Sequence, residues 1–371
     1  MSKKILVTGG AGFIGSFLVD ELIRRGEHVT VYDNLEPQVH GTKKPDYLNA
    51  RAKYVWGDVR DYEAFKAVVL EADVIFHEAA MVGVGQSQYQ IRRYVDANTM
   101  GTANLLDILA NNKHHCKKLV VAGSMSSYGE GLYRCERDGL VRPALRPESQ
   151  MANGDWELHC PHCARHVKPV AIPESSVQNV SSIYAITKKD QEEMVLTFGK
   201  TYDLPTVALR YFNVFGPRQS LSNPYTGVCA IFTSRIKAGQ SPVVYEDGNQ
   251  SRDFVSVHDI VQANILSMEK SEADGEAFNV GGGHAMSIRE VAETLAELYE
   301  RPSRVLITKR FRKGDVRHCL GDITKIRSRL GYEPAVSFAD GMREFLAWSK
   351  KAEAVDNFEE ASRELAGRGL A

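Results

Sequence analysis

The sequence predicts an α/β fold, a doubly wound parallel sheet joined to a smaller mixed α/β lobe and interrupted by a cysteine-rich insertion. Three observations predict it. Short apolar runs at 4–7, 28–32, 74–77 and 119–122 alternate with longer stretches of helical periodicity, notably 13–25 and 94–111. The runs are mostly apolar, as strands covered on both faces require. Finally, Gly9, Gly12 and Gly15 punctuate the junction between the first run and the first helical stretch.

The elements follow in order. Lys4 to Val7 is the first strand and Phe13 to Arg25 the first helix. The second strand, His28 to Tyr32, ends at Asp33. Val74–His77 and Leu119–Ala122 read as further buried strands, and Tyr94–Asn111 as a helix between them. From about Glu130 to Glu174 the rhythm breaks: the chain is rich in Pro, Arg, Cys and His and has no sustained apolar period. The pattern resumes at Ser182, and Val207–Tyr211 is another strand. Three regions result: 1–212 for the sheet with its insertion, 213–350 for a second lobe partly interleaved with the first, and 351–371 as a charged tail or amphipathic surface helix carrying Val355, Phe358 and Leu365.

Composition narrows the class. Of 371 residues, 43% are hydrophobic and 25% charged, an ordinary balance for a large core. A formal net charge of −1 provides no global field for nucleic acid or an anionic membrane, so neither is an expected partner. No stretch has the length of a bilayer span, and the apolar run after the two N-terminal lysines is too short for a signal peptide, so the expectation is cytoplasmic. In that compartment the six cysteines stay reduced, and a close cluster of them points to metal.

The glycines sit in TGGAGFIG, between a strand and a helix. There they let the backbone turn tightly and approach a pyrophosphate, which the helix N-terminus then receives. This is the dinucleotide fingerprint of a Rossmann-type sheet; the plain alternative is a structural turn. Asp33 follows about twenty residues later, where a carboxylate accepts hydrogen bonds from the adenosine ribose. It would repel the extra phosphate of NADP, and the next residue is Asn34 rather than arginine, so NAD is favoured. Asp58, in GDVRD, follows a third strand and is a candidate for the adenine edge.

Tyr184 and Lys188 form a YxxxK pair, four residues apart and so on one face of a helix. A phenol titrating near ~10 is a poor base at neutral pH. A lysine ammonium and an oxidised nicotinamide beside it would both favour the phenolate. Ser124 ends the strand 119–122, at the sheet edge where ligands bind, and its hydroxyl can bridge Tyr184 and a substrate hydroxyl. Ser126 and Ser127 compete with a simple capping role.

TGGAGFIG, YDN, GDVRD, HEAA, NTMGTANLL, SMSSYG, YAITK, LRYFNVFGP, SRDFVSVHDI, FNVGGG and KGDVRH occur here in the order of the extended short-chain dehydrogenases/reductases. The chain resembles, within them, the UDP-glucose 4-epimerase-like nucleotide-sugar epimerases from Lys4 to about Trp348, the insertion excepted. The resemblance implies tightly bound NAD, held by Gly9, Gly12, Phe13, Ile14, Gly15, Asp33, Asn34, Asp58, Val59, Ala79, Ala80, Asn98, Tyr184, Lys188 and Tyr211. It implies a nucleotide-diphosphate sugar held by Ser124, Ser126 and Asn213, with Arg252 and Arg312 clamping the diphosphate and Asp315 the nucleoside ribose. Without it, the two arginines read as surface residues. It also implies a homodimer through the helices around 94–111 and 184–200.

Related dehydratases carry an Asp-Glu pair after the catalytic hydroxyl, and related decarboxylases a glutamate in that loop. Met125 and Ser126 stand there in this chain, and neither is a carboxylic acid. What remains is epimerisation: oxidation to a 4-keto sugar, rotation about the diphosphate link, and re-reduction on the other face. Four residues beyond Asp315, Cys319 stands where some hexose epimerases hold tyrosine, which implies a sugar pocket of different shape.

In the insertion, Cys160 and Cys163 form a CxxC knuckle; Cys135 lies upstream, and Asp138 is spaced from it like the partner in a second knuckle. With one more ligand, three thiolates bind zinc tetrahedrally; His159, His162 and His166 compete with Asp138 for that place. The pattern resembles a small zinc ribbon, read as a structural clip for an otherwise coreless loop. Epimerases with such an insertion resemble those assigned to dTDP-L-rhamnose, converted to dTDP-6-deoxy-L-talose, and SMxxYGEGxYxC and NPYTGV are shared with them. The alternatives are a UDP-hexose or UDP-hexuronate 4-epimerase, a nucleotide-4-keto-sugar reductase, and a non-catalytic NAD-binding scaffold.

Overall fold

The computed structural model describes residues 2–300 and 305–370. Seven strands form its central sheet: β1 (Lys4–Thr8), β2 (His28–Asp33), β3 (Lys53–Trp56), β4 (Val74–His77), β5 (Lys118–Ser124), β6 (Thr206–Tyr211) and β7 (Glu276–Val280). They pair in the order β7-β6-β5-β4-β1-β2-β3, every pair parallel. The winding reverses at β1 and β4. Chains leaving their carboxyl ends diverge there and open a crevice. Strand β7 comes from far beyond residue 212, so the second part of the chain returns to complete the sheet.

Both faces are covered, which is why the strand interiors are mostly apolar. On one side Ile5, Val7 and Phe278 pack with Leu18 and Leu22 of α1 (Phe13–Arg24). On the other, Leu6, Ile75 and Val121 pack with Phe65, Leu105 and Val195, the last from α2 (Ile183–Tyr202). Burying such side chains contributes about 1.5–3 kcal/mol each. A third cluster, around Phe215, Phe254, Leu295 and Phe345, forms the core of the other lobe.

The helical stretch expected at 94–111 begins at Ile91 and is π-helical over Val95–Met100 before continuing as Gly101–Asn111. The widened turn leaves Asn98 fully buried, its amide donating to the Met81 carbonyl and the Thr187 hydroxyl.

The insertion is not coreless. Leu132–Cys135 lies between Gly139–Val141 and Lys168–Val170 in a three-stranded antiparallel sheet. Tyr133, Val141, Leu158 and Val167 close a small core with Cys135 and Cys160. Strands of three or four residues cannot establish a period in sequence, and the apolar residues come from distant positions.

Charge docks this module onto the second lobe. The Arg317 guanidinium is fully buried and pairs with Glu246 and Asp247, both at 2.7 Å, and with Glu157 of the insertion at 2.6 Å. Arg146, also of the insertion, donates to both oxygens of Glu246 at 2.9 Å and to the Asp315 carbonyl at 3.2 Å.

The chain end is a helix, α3 (Phe358–Gly367), with Ala361, Ser362 and Leu365 buried. Among the described residues no helix is long and apolar enough to cross a membrane.

Candidate active site

A cleft of about 630 Å³ runs along the carboxyl edge of the sheet and between the lobes. Gly9, Gly12, Phe13, Ile14, Gly15, Asp33, Asn34, Asp58, Val59, Ala79, Ala80, Tyr184, Lys188 and Tyr211 all line it. So do Ser124, Ser126, Asn213, Arg252, Arg312 and Asp315. Two residues lie outside that lining. Asn98 lies behind the cleft: its oxygen accepts from the Met81 amide at 2.7 Å and its nitrogen donates to the Met81 carbonyl and Thr187 hydroxyl, so it shapes the loop after β4. Cys319 is buried in the core on a short strand paired with Ser251–Ser256, and it does not line the cleft.

The glycine loop has the geometry an anion needs. Gly9 has φ +68°, and a Cβ there would meet the Ala79 amide nitrogen at 2.8 Å. A Cβ on Gly15 would strike the Gly9 carbonyl. No side chain caps α1, so its first-turn N–H groups remain available for a phosphate. Asp33 is buried and oriented by the Ala11 and Leu35 amides, at 3.0 and 2.8 Å. Each carboxylate oxygen keeps a second lone pair for a ribose. Asp58 accepts from Arg60 and Asn34, which hold its carboxyl at about 2, against the opposing effect of burial.

Helix α2 delivers the YxxxK pair. Ser182 caps it, accepting from the Ala185 amide at 3.1 Å, and the Tyr184 amide donates to Ser87 Oγ at 3.0 Å. Burial raises the Tyr184 phenol above its ordinary pKa, with a hydrogen bond to Ser124 opposing. Lys188 Nζ donates to Gln191 Oε1 at 2.7 Å. Burial also pulls Lys188 down to about 8, with Glu78 and Glu192 opposing. Ser126 Oγ donates to Ser124 Oγ at 2.9 Å, ordering the serine that faces Tyr184.

Lys188 is tied to the sheet by a relay of hydrogen bonds. Gln191 Nε2 donates to Thr102 Oγ1 at 2.7 Å, and His77 sits between Thr102 and Thr8 at 3.0 and 2.9 Å. The single Thr102 hydroxyl hydrogen goes to the Asn98 carbonyl, so His77 must donate from Nε2 and accept at Nδ1. Burial, with Lys188 adding to it, lowers His77 to about 3 and keeps it neutral.

At the other end, Arg252 spends three N–H contacts on the carbonyls of Ser251, Val316 and Arg317. A guanidinium has five donors, so two stay free. Arg312 Nε donates to Asp315 at 2.8 Å. Asn213 Oδ1 is buried without a partner in a residue that lines the cleft, an acceptor awaiting a donor.

Sequence reasoning missed Glu78, the second residue of HEAA. It lines the cleft, accepts from Tyr211 at 2.9 Å, and burial raises it to about 7. The only signal was a carboxylate directly after a buried strand. The face of α3 that borders the cleft was also missed.

The four candidate metal ligands converge. Ligand atoms of Cys135, Asp138, Cys160 and Cys163 all lie within 4.8 Å of one another, and His159 and His166 group instead with Asp155. Cys135 and Cys163 sulfurs are 3.5 Å apart, and Asp138 Oδ2 is 3.4 Å from Cys135 and 3.2 Å from Cys160.

Comparison with known proteins gives a consistent result. Residues 5–149 match the NAD dependent epimerase/dehydratase family, and 166–345 match GDP-mannose 4,6 dehydratase. A dTDP-L-rhamnose 4-epimerase of Burkholderia thailandensis is 33% identical over 353 residues, covering 93% of this chain and 94% of that protein. The structure of a Thermotoga maritima UDP-glucose 4-epimerase with UDP-glucose is 32% identical, with TM-score 0.78 over 94% of this chain and 99% of its own. A Thermus thermophilus UDP-glucose 4-epimerase in complex with NAD is 28% identical, with TM-score 0.75 over 94% and 100% of the two chains.

Glu78 generates a pH prediction. Its folded pKa of about 7 lies above the ordinary 4.5, so the folded protein keeps a proton that the unfolded chain releases. That stabilisation is full below about 4.5 and is lost as pH rises through about 7. The unfolding midpoint of Glu78→Gln should therefore fall less steeply than the parent's across this window. Parallel midpoint–pH curves would show that Glu78 is not a buried titrating group.

Proposed function

The chain belongs to the NAD-dependent epimerase/dehydratase family, and from that premise we propose that it is a nucleotide-sugar 4-epimerase acting on dTDP-L-rhamnose to give dTDP-6-deoxy-L-talose. The observation that carries the reading is the convergence of Ser124, Tyr184 and Lys188 on one cleft with Arg252, Arg312 and Asn213 at its far end. NAD, when bound, supplies a reversible hydride acceptor and a positive charge that favours the phenolate. The glycine loop and Asp33 fit its pyrophosphate and adenosine ribose. Tyr184 takes the proton from the sugar 4′-hydroxyl and later returns it, and Ser124 orients that hydroxyl. Lys188, fixed through Gln191, stands one turn below Tyr184. Arg252 and Arg312 hold the diphosphate while the sugar turns, and Asp315 serves the nucleoside ribose. Met125 and Ser126 offer no carboxyl for elimination or decarboxylation, which favours return of the keto sugar to an alcohol.

The Cys135, Asp138, Cys160 and Cys163 set is proposed to hold a structural zinc ion. With Zn–S near 2.3 Å, tetrahedral ligands lie about 3.8 Å apart, close to the observed spacings. Backbone amides of Asp138 and Arg137 pull the Cys135 thiol below its ordinary pKa, and the His162 amide donates to Cys160 Sγ at 3.5 Å. A homodimer is proposed through the helix ending at Asn111 and α2, where Leu106 of the first and Met194, Phe198 and Tyr202 of the second line a shallow groove and Tyr202 is exposed.

Purified enzyme without added cofactor should convert dTDP-L-rhamnose to its C4 epimer, and Tyr184→Phe should lose activity by about 10²–10⁴-fold while keeping its NAD. Turnover of a UDP-sugar alone would discard the substrate; a requirement for reduced cofactor and a keto sugar would make the enzyme a reductase. Elemental analysis should find about one zinc per chain, lost in Cys160→Ser together with several degrees of thermal stability. A parent protein that carries no metal and loses no stability on treatment with a chelator would dismiss the site. Sedimentation equilibrium should give twice the chain mass, and half that mass in a variant of the exposed Tyr202, Tyr202→Glu.

A further inference from the structure

Helix α3 lies beyond residue 345, where the family match ends. Its Phe358, Ala361, Ser362 and Leu365 recur at i, i+3, i+4 and i+7 and so share one face. All four line the cleft. A solvent helix would turn this face onto a hydrophobic core; here it borders the space between the lobes.

The helix is anchored to both sides. On the second lobe, Arg235 lies 4.4 Å over the Phe358 ring and pairs with Asp356 and Glu359 at 3.4 and 3.1 Å. The Tyr245 ring lies 6.4 Å from Phe358, and its hydroxyl is 3.4 Å from Ser362 Oγ. Tyr245 also carries the Arg312 guanidinium 5.3 Å from its ring centre. On the other side, Leu365 packs against Gly85, where an added Cβ would lie 3.4 Å from its side chain, and Arg368 lies 4.2 Å over Tyr89. Glu364 accepts from the Tyr225 hydroxyl at 3.0 Å.

We infer that α3 is a substrate-binding wall: it closes over the nucleoside end of a bound nucleoside diphosphate sugar, with Ser362 and Tyr245 providing polar contacts and Phe358 and Leu365 apolar ones. The inference rests on the nucleotide-sugar reading. Tyr245 joins the helix to Arg312, so a diphosphate on Arg312 puts the nucleoside against this face. The Tyr245–Ser362 contact of 3.4 Å is long for two hydroxyls, and each retains capacity for a ligand. Bridging both lobes, the helix contributes to affinity and shields the cleft, and it takes no part in the proton transfer at Tyr184.

The test uses the NAD-containing full chain and dTDP and UDP as probes. Calorimetry compares it with a chain ending at Glu353 and with Ser362→Phe, which fills the wall without removing the helix. Both variants should bind the better probe about tenfold or more weakly, with NAD content unchanged. Binding of that probe should also slow tryptic cleavage at Arg363 and Arg368 in the full chain, an effect a merely structural helix would not give. Unchanged affinity in Ser362→Phe with cleavage indifferent to nucleotide would overturn the wall and leave the nucleotide-sugar reading intact. Failure of the full chain to bind either probe would overturn both.

Discussion

The parallel pairing of β1 with β4, from Ile5 opposite Val74 to Thr8 opposite His77, is the contact on which the site depends. Parallel register brings the two carboxyl ends level, so the chain leaving β1 passes directly over the chain leaving β4. That is why Gly9 approaches Ala79 too closely for a side chain. The same register places Thr8 beside His77, and the relay through Thr102 and Gln191 carries that position to Lys188. One backbone alignment therefore fixes both the anion-binding loop and the lysine of the YxxxK pair. Every member of the relay is buried and satisfied, which is the condition under which a polar network rigidifies its surroundings.

Charge inside the cleft follows a related logic. A lone buried ammonium is costly, and Lys188 responds with a pKa pulled down to about 8. Glu78 and Glu192 oppose that fall without contacting it directly. Glu192 is itself committed to Arg210, and Glu78 to Tyr211, so neither is free to collapse onto the lysine. The lysine stays pointed at Gln191, one turn along α2 from Tyr184. A closer carboxylate would capture the ammonium and withdraw it from the tyrosine.

The sheet and the cofactor loop were legible because they are local. Mostly apolar runs declare strands buried on both faces, and a glycine triplet between a strand and a helix has few other uses. Asp33 was legible for the same reason, as its place at the end of β2 follows from the strand alone. Where Asn98 and Cys319 lie was not legible, because a position within a motif does not fix the direction of a side chain. A π-helical turn directs Asn98 to the Met81 backbone, and a two-residue strand buries Cys319. Glu78 could not be found because its raised pKa comes from burial, a property of the folded surroundings. The apolar stripe of α3 was visible in sequence, but nothing there says whether a stripe faces a core or a cleft.

The insertion joins these arguments. Its own core holds only a few apolar side chains with two cysteines, too little to order a segment of this length against its conformational entropy. Two further constraints act on it. One is the convergence of three sulfurs and a carboxylate at one end; the other is the set of buried ion pairs through Arg146 and Glu157 at the other. A buried pair adds little net stability over apolar packing, but breaking one side costs about 3–5 kcal/mol, so it selects a single docking geometry. Arg146 reaches the Asp315 carbonyl and Arg317 follows Asp315 by two residues, so that geometry is transmitted to the loop bearing Arg312 and Asp315. The insertion thus positions the Arg312–Asp315 loop of the cleft from outside it, with none of residues 130–174 in the cleft lining.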